Sequence, residues 1–152
     1  MPAHSGRYLR PGGGERLFGR LLASLVRLGA VRGHFYVLEV RGRKTGRTIS
    51  LPVDLLAVGG RCYLVCPRGE SEWVRNARAA GEVSLVRGRD RRRYVARELP
   101  AEQRPPLLKA YCERFAAEVQ RFFPLPRGAP EEAFAEIAWN YPVFELEPLD
   151  QG

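Results

Sequence analysis

Leu17, Leu21, Leu25 and Leu28 recur at helical spacing, with Arg16, Arg20 and Arg27 between them. That pattern predicts an amphipathic basic helix over 15–29. Beyond it the pattern changes. Short apolar runs rich in Val, Leu, Tyr and Ile at 34–40, 48–58, 61–66, 82–87 and 91–98 predict strands. Gly59-Gly60 predicts one tight hairpin and Gly88-Arg89-Asp90 another. Between the third and fourth strands lies RGESEWVRNARAAG, residues 68–81. Its core, Ser71 to Ala80, predicts a short helix with Ser71 as N-cap and Gly81 as terminator. After Pro100 the pattern turns helical over 101–123 and 131–139, with a Pro/Gly loop between. A last strand is predicted at 141–147.

Six short strands joined mostly by hairpins predict an α+β fold: a small antiparallel barrel with flanking helices, not a parallel doubly wound sheet. Residues 1–14 read as a flexible lead-in ending in Pro11-Gly12-Gly13-Gly14, and 15–152 as a single domain.

Charge sharpens this picture. The formal net charge is +8, which implies an acidic partner: nucleic acid, an anionic membrane surface, or a phosphorylated or carboxylated small molecule. The excess is almost all arginine, Lys44 and Lys109 being the only lysines. Cysteine adds little. Cys62 and Cys66 share a strand face but stand roughly 13 Å apart, too far for a disulfide. With Cys112 they read as small buried hydrophobes in a reducing cytosol. His4 and His34 are the only histidines, so no metal site is expected. No run reaches the roughly 20 apolar residues that span a bilayer. The first residues show no signal-peptide hydrophobic region, and the expected location is cytoplasmic. The basic helix at 15–29 is read as packing on the domain's own core. Peripheral contact with a membrane, or a partner or homodimer contact, are its alternatives.

Two stretches carry candidate chemistry. VRGRKTGRT, residues 40–48, places Arg41, Arg43, Lys44 and Arg47 around Gly42 and Gly46. It is not a phosphate loop of the nucleotide-triphosphate kind: Arg47 follows the second glycine and both flanks are strands. As a hairpin turn it still suits an anion. Both glycines permit positive φ, so backbone N–H groups can converge, and Thr45 adds a hydroxyl. The alternative is a solvated basic turn that blunts a strand edge. The second stretch is CPRGESEWVRNARAAG, residues 66–81. Trp73 and Asn76 lie three apart and share a helix face. Facing a cavity, they would suit a flat heteroaromatic ligand. The alternative is a core tryptophan beside a surface asparagine.

Together GRKTGRTISLPV, YLVCPRGESEWVRNARA and the terminal YPVFELEP resemble the deazaflavin-dependent nitroreductase family, from about Leu38 to Glu98 with an echo at 142–148. That family folds as a split β-barrel and uses the reduced 5-deazaflavin F420. The resemblance implies that Arg43, Lys44, Thr45, Gly46 and Arg47 bind the cofactor's phosphate and acidic glutamyl tail. It places Pro52 and Val53 beneath the ring system. Val65, Cys66, Pro67, Arg68 and Gly69 would border the ring and phosphate, and Trp73 and Asn76 would close the site. Tyr111 is the nearest counterpart of the substrate-pocket tyrosines. Two positions depart from the family pattern: Ile49, where some members are basic, and Pro67, where some carry Ser or Thr. The implied activity is hydride transfer from reduced deazaflavin to a small electron-poor acceptor such as a quinone, an enone or a nitro compound. The chemistry would belong to the cofactor.

Three rivals stand beside it. One is an FMN-binding split-barrel oxidoreductase. Another is a non-catalytic module for a cofactor or lipid. The third is a nucleic-acid binder, suggested by RGRDRRRY at 87–94. It is disfavoured because no reading motif or stacking platform accompanies it, so no nucleic-acid partner is expected.

Overall fold

The structure is a computed structural model that describes residues 35–149. The expected lead-in and the helix at 15–29 lie outside the described residues. Seven strands form one sheet: β1 (Phe35–Arg41), β2 (Thr48–Asp54), β3 (Leu56–Val58), β4 (Arg61–Val65), β5 (Glu82–Arg87), β6 (Asp90–Glu98) and β7 (Val143–Pro148). Four helices accompany them: α1 (Glu72–Ala80), α2 (Pro105–Arg114), α3 (Ala116–Val119) and α4 (Glu131–Ile137).

The sheet order is β2-β1-β5-β6-β7-β4-β3, and every pairing is antiparallel. The predicted run 48–58 is two strands, which raises the count from six to seven. The break at Leu55 has a topological reason. β2 pairs with β1 at one edge of the sheet and β3 pairs with β4 at the other. One residue joins strands at opposite edges, so the sheet has to curl until its edges meet.

The expected hairpins are present. Gly59 and Gly60 take φ of 59° and 78° between β3 and β4, the pair of left-handed residues that a two-residue turn of matching twist requires. The expected helix at 71–80 is α1. Ser71 sits at its N-cap with extended backbone but makes no side-chain cap; its hydroxyl pairs with Cys66 instead. Gly81 ends it in the left-handed region and donates to Ala77 O at 2.8 Å. The expected helix at 101–123 is interrupted. A 3-10 turn at Ala101–Gln103 precedes α2, the Pro105-Pro106 pair opens α2, and Phe115 leaves helical geometry (φ −116°, ψ 29°) to bury its ring.

Strand alternation divides the core in two. Leu64 and Cys66 face a cluster with Trp73, Val74, Ala77, Val83, Leu85, Phe144 and Leu146. Tyr63, Val65 and Val143 face the other, with Tyr111, Phe115, Phe123, Phe134 and Tyr141. β4 and β7 are thus covered on both faces.

An ionic chain ties these layers. Arg78 of α1 forks to Glu70 at 2.5 and 2.7 Å and to Glu98 of β6 at 2.6 and 2.8 Å. Hydrogen bonding to Arg78 holds the Glu70 carboxyl below its ordinary value of 4.5. A carboxylate whose folded pKa is depressed stabilises the fold above its unfolded pKa and loses that contribution as pH falls through the folded value. Thermal melts should therefore show stability falling from about pH 4.5 downward. Arg78→Gln should shrink that decline, because it removes the cause of the shift.

Candidate functional site

The basic turn spans residues 42–47 between β1 and β2. Gly42 N–H donates to Arg47 O at 2.8 Å, and Gly46 N–H donates to Gly42 O at 2.9 Å. Arg47 N–H donates to the Thr45 hydroxyl oxygen at 3.2 Å. The two glycines serve different needs. Gly46 uses positive φ, at 76°. Gly42 does not; a Cβ there would meet Arg47 O at 3.1 Å and Thr45 Oγ1 at 3.2 Å. The expectation that both supply φ > 0 is corrected accordingly. The turn also consumes much of its own backbone. The N–H groups of Lys44 and Thr45 make no bond within the described residues.

Arg43 anchors the turn to α1. Its backbone N–H donates to Asn76 Oδ1 at 3.1 Å, and its Nη1 reaches the same oxygen at 2.8 Å. Nη1 also donates to Glu72 Oε2 at 2.8 Å. Arg41, Lys44 and Arg47 have no carboxylate partner among the described residues. Three exposed cations, none in an ion pair among the described residues, stand beside two free N–H groups, an arrangement whose chemistry suits an anion. A groove of about 800 Å³ opens beside Arg41 and Lys44, bordered by Glu39, residues 42–46, Ala79, Ala80, Glu82, Ser84 and Arg91.

The basic hairpin at 87–94 is different. Arg91 pairs with Glu39, Arg92 with Asp90 and Arg93 with Glu82, and further along β6 Arg97 pairs with Glu145. Charge on β6 is largely neutralised in place, whereas charge on the turn is not.

Trp73 and Asn76 share a helix face, but that face points inward. Trp73 is 8% exposed, its ring centroid 5.7 Å from that of Phe144 in a tilted contact. Asn76 is 2% exposed and its carbonyl is occupied by Arg43. Trp73 packs the core, as its alternative reading has it, and Asn76 is a buried strut for the turn where that alternative has a surface asparagine.

The Cys66–Gly69 bend precedes α1. Cys66 is buried; its N–H donates to Pro142 O at 2.9 Å and its thiol to Gly69 O at 3.0 Å. Burial pushes the thiol above its ordinary value, against the hydrogen bond from Ser71. Val65 and Gly69 are buried, and Pro67 and Arg68 half-buried. The Arg68 guanidinium lies 4.7 Å over the Phe122 ring, turned toward the helical layer. Pro52 and Val53, half-buried on β2, stand opposite Val37 and Tyr36. Tyr111 is 2% exposed, edge-on to Phe115 at 5.3 Å. Burial, with Asp54 nearby, raises its phenol well above the ordinary value, which makes it a reluctant proton donor. The structure thus gathers Arg43 to Arg47 with Asn76. It does not bring Val65, Cys66, Gly69 or Tyr111 to that surface.

Residues outside the expected set belong to the site. Arg41 folds its guanidinium over Gly46, within 3.8 Å of where a Cβ would stand. Its place in the charge cluster was the only signal for it. Glu72 and Arg91 left none, because their relation to the turn is tertiary. A second cavity, about 230 Å³, lies in the helical layer beside Cys112, Phe123, Leu125 and Phe134. Burial pushes the Cys112 thiol up to about 12. Among the described residues no cluster of His, Cys, Asp or Glu could hold a metal ion, and no helix is long and apolar enough to cross a membrane.

Residues 25–122, more than half of the 152, match the family described as F420H(2)-dependent quinone reductase. The chain belongs to that family. An F420H(2)-dependent quinone reductase family member is an F420-dependent oxidoreductase, which identifies the class of enzyme. Solved structures agree on the fold. One described as a domain-swapped dimer is 21% identical, with a TM-score of 0.55 over 84% of this chain and 92% of its own. An F420-H2 dependent reductase, FDR-A, is 23% identical, with a TM-score of 0.51 over 75% and 94%. The heme storage protein HutZ from Vibrio cholerae is 14% identical, with a TM-score of 0.55 over 78% and 83%. This is the split-barrel fold of flavin and deazaflavin oxidoreductases. No curated protein matches the chain.

Proposed function

We propose that the turn at 41–47 holds the phosphate and acidic tail of F420, and that the enzyme reduces a small electron-poor acceptor. The observation that supports this reading is the trio Arg41, Lys44 and Arg47, three cations in no ion pair among the described residues, of which Arg41 and Lys44 border a groove of about 800 Å³. The donor set fits the group. A phosphodiester followed by carboxylates spreads charge along a chain, and so does the turn. Guanidinium side chains match phosphate and carboxylate in a forked geometry.

Arg43 and Asn76 would fix the turn's shape, while Lys44, Thr45 and Arg47 would meet the anion with Gly46 giving close approach. Pro52, Val53, Pro67 and Arg68 have surface to offer a ring. Cys66 and Trp73 would back that surface from one core cluster, Val65 and Tyr111 from the other, with Gly69 in the bend between. When bound, reduced deazaflavin supplies a hydride; the chain's own task is to orient the acceptor and exclude water. Quinones, enones and nitro compounds are acceptors of suitable electron demand.

A side-by-side titration of the full chain with F420 and FMN, read by cofactor fluorescence, tests this. Tight F420 binding with weak FMN binding is expected. Preference for FMN would move the enzyme to the flavin branch. Binding of neither would overturn the cofactor reading.

A further inference from the structure

We propose that Glu72 is a specificity-determining residue: its carboxylate occupies Arg43 as an internal competitor, and so limits how strongly the turn binds a ligand with several anionic groups in series. The inference rests on the turn being the anion site.

Arg43 is set apart from its neighbours. Its Nη1 is shared between Glu72 Oε2 and Asn76 Oδ1, both at 2.8 Å. Arg41, Lys44 and Arg47 hold no hydrogen-bonded carboxylate among the described residues, although the Lys44 charge also acts on Glu72. Asn76 alone suffices as the anchor, because it also accepts the Arg43 backbone N–H. Glu72 adds little to that anchoring, since its side chain is 60% exposed and exposed ion pairs contribute weakly. What it does supply is charge. Hydrogen bonding to Arg43 holds the Glu72 carboxyl below its ordinary range, so it is ionised at neutral pH. An ionised carboxylate on a guanidinium has the same fork and sign as an acidic ligand group.

A compact anion can use the three free cations and leave this pair alone. An extended polyanion gains Arg43 only by displacing Glu72. The displaced carboxylate has somewhere to go: Arg75 Nη1 already lies 3.8 Å from its other oxygen.

The test is isothermal titration of the full-length chain with tripolyphosphate and with orthophosphate. Wild type is compared with Glu72→Gln, Arg43→Ala and the double variant, with a thermal melt of each. Glu72→Gln should tighten tripolyphosphate about two- to fivefold, tighten orthophosphate less, and steepen the salt dependence of binding. Its melting temperature should stay near that of wild type. In the Arg43→Ala background the same substitution should tighten tripolyphosphate by less than half as much, the remainder being the charge of Glu72 on Lys44. An equal gain in that background would reduce Glu72 to a general charge effect and overturn the proposal. Weaker binding by Glu72→Gln would make it a strut and overturn it too, as would failure of wild type to bind either phosphate. Binding of tripolyphosphate without binding of F420 would sink the cofactor reading while leaving Glu72 judged by the cycle.

Discussion

Replacing Arg41, Lys44 and Arg47 together by serine should weaken F420 binding about a hundredfold while leaving the fold intact. The size follows from three charge-assisted contacts, each discounted for an exposed setting. The intact fold follows from what those residues do not do. Turn geometry is held by Gly42, Gly46 and the Thr45 oxygen, and the anchor to α1 is Arg43 with Asn76. The three cations make no ion pair among the described residues, so removing them breaks none. Removing like charges from one turn also relieves repulsion, and the melting temperature should hold or rise slightly. Fluorescence titration at two salt concentrations reads the first claim; a melt reads the second. Unchanged affinity would dismiss the turn as the anion site, whatever cofactor the enzyme uses.

The second large effect concerns Arg104, which is 8% exposed. Its Nε donates to Leu99 O at 2.9 Å. Its Nη1 reaches Ala138 O at 2.9 Å and Tyr141 O at 3.4 Å, and its Nη2 reaches Glu98 at 3.2 Å. One guanidinium thus joins the start of α2 to the bend before β7 and to β6. Arg104→Met should cost about 2–5 kcal/mol, by stranding the Leu99 carbonyl and removing the guanidinium's bonds to Ala138, Tyr141 and Glu98. Ala138 O keeps the Tyr141 N–H at 3.1 Å, and Glu98 keeps Arg78, which limits the loss. A protein of this size should then melt about 5–15 °C lower. Arg104→Lys should recover only part of it, because an ammonium cannot fork to so many acceptors. A shift under about 2 °C for Arg104→Met would show that the site relaxes around the gap.

The strands were legible because apolar runs and glycine turns are local signals. Gly59-Gly60 marked its hairpin outright. The break at Leu55 was not legible, since Thr48 to Val58 reads as one run and only the sheet order divides it. The basic turn was legible as charge, and so was its suitability for an anion. Its fastening was not. Arg43 and Asn76 are 33 residues apart, and helical spacing gives Trp73 and Asn76 a common face without saying which way it points. Arg104 was invisible for another reason: most of its partners are backbone carbonyls, which every sequence has. Glu72 combines both difficulties, one of several exposed acids until the fold sets it against Arg43.

The position of β7 bears on how the protein is made. It is the last described strand to leave the ribosome, yet it lies between β6 and β4. Cys62 pairs with Leu146 and Glu98 with Phe144 across that one strand. Until β7 is synthesised, no strand pairing ties β3 and β4 to the rest of the sheet; they join it only through the Leu55 link and α1, with strand edges bare on both sides of the gap. Those edges are open to pairing with another nascent chain. The sheet therefore cannot close until β7 has been translated, and the interval before it emerges is when a chaperone has most to protect.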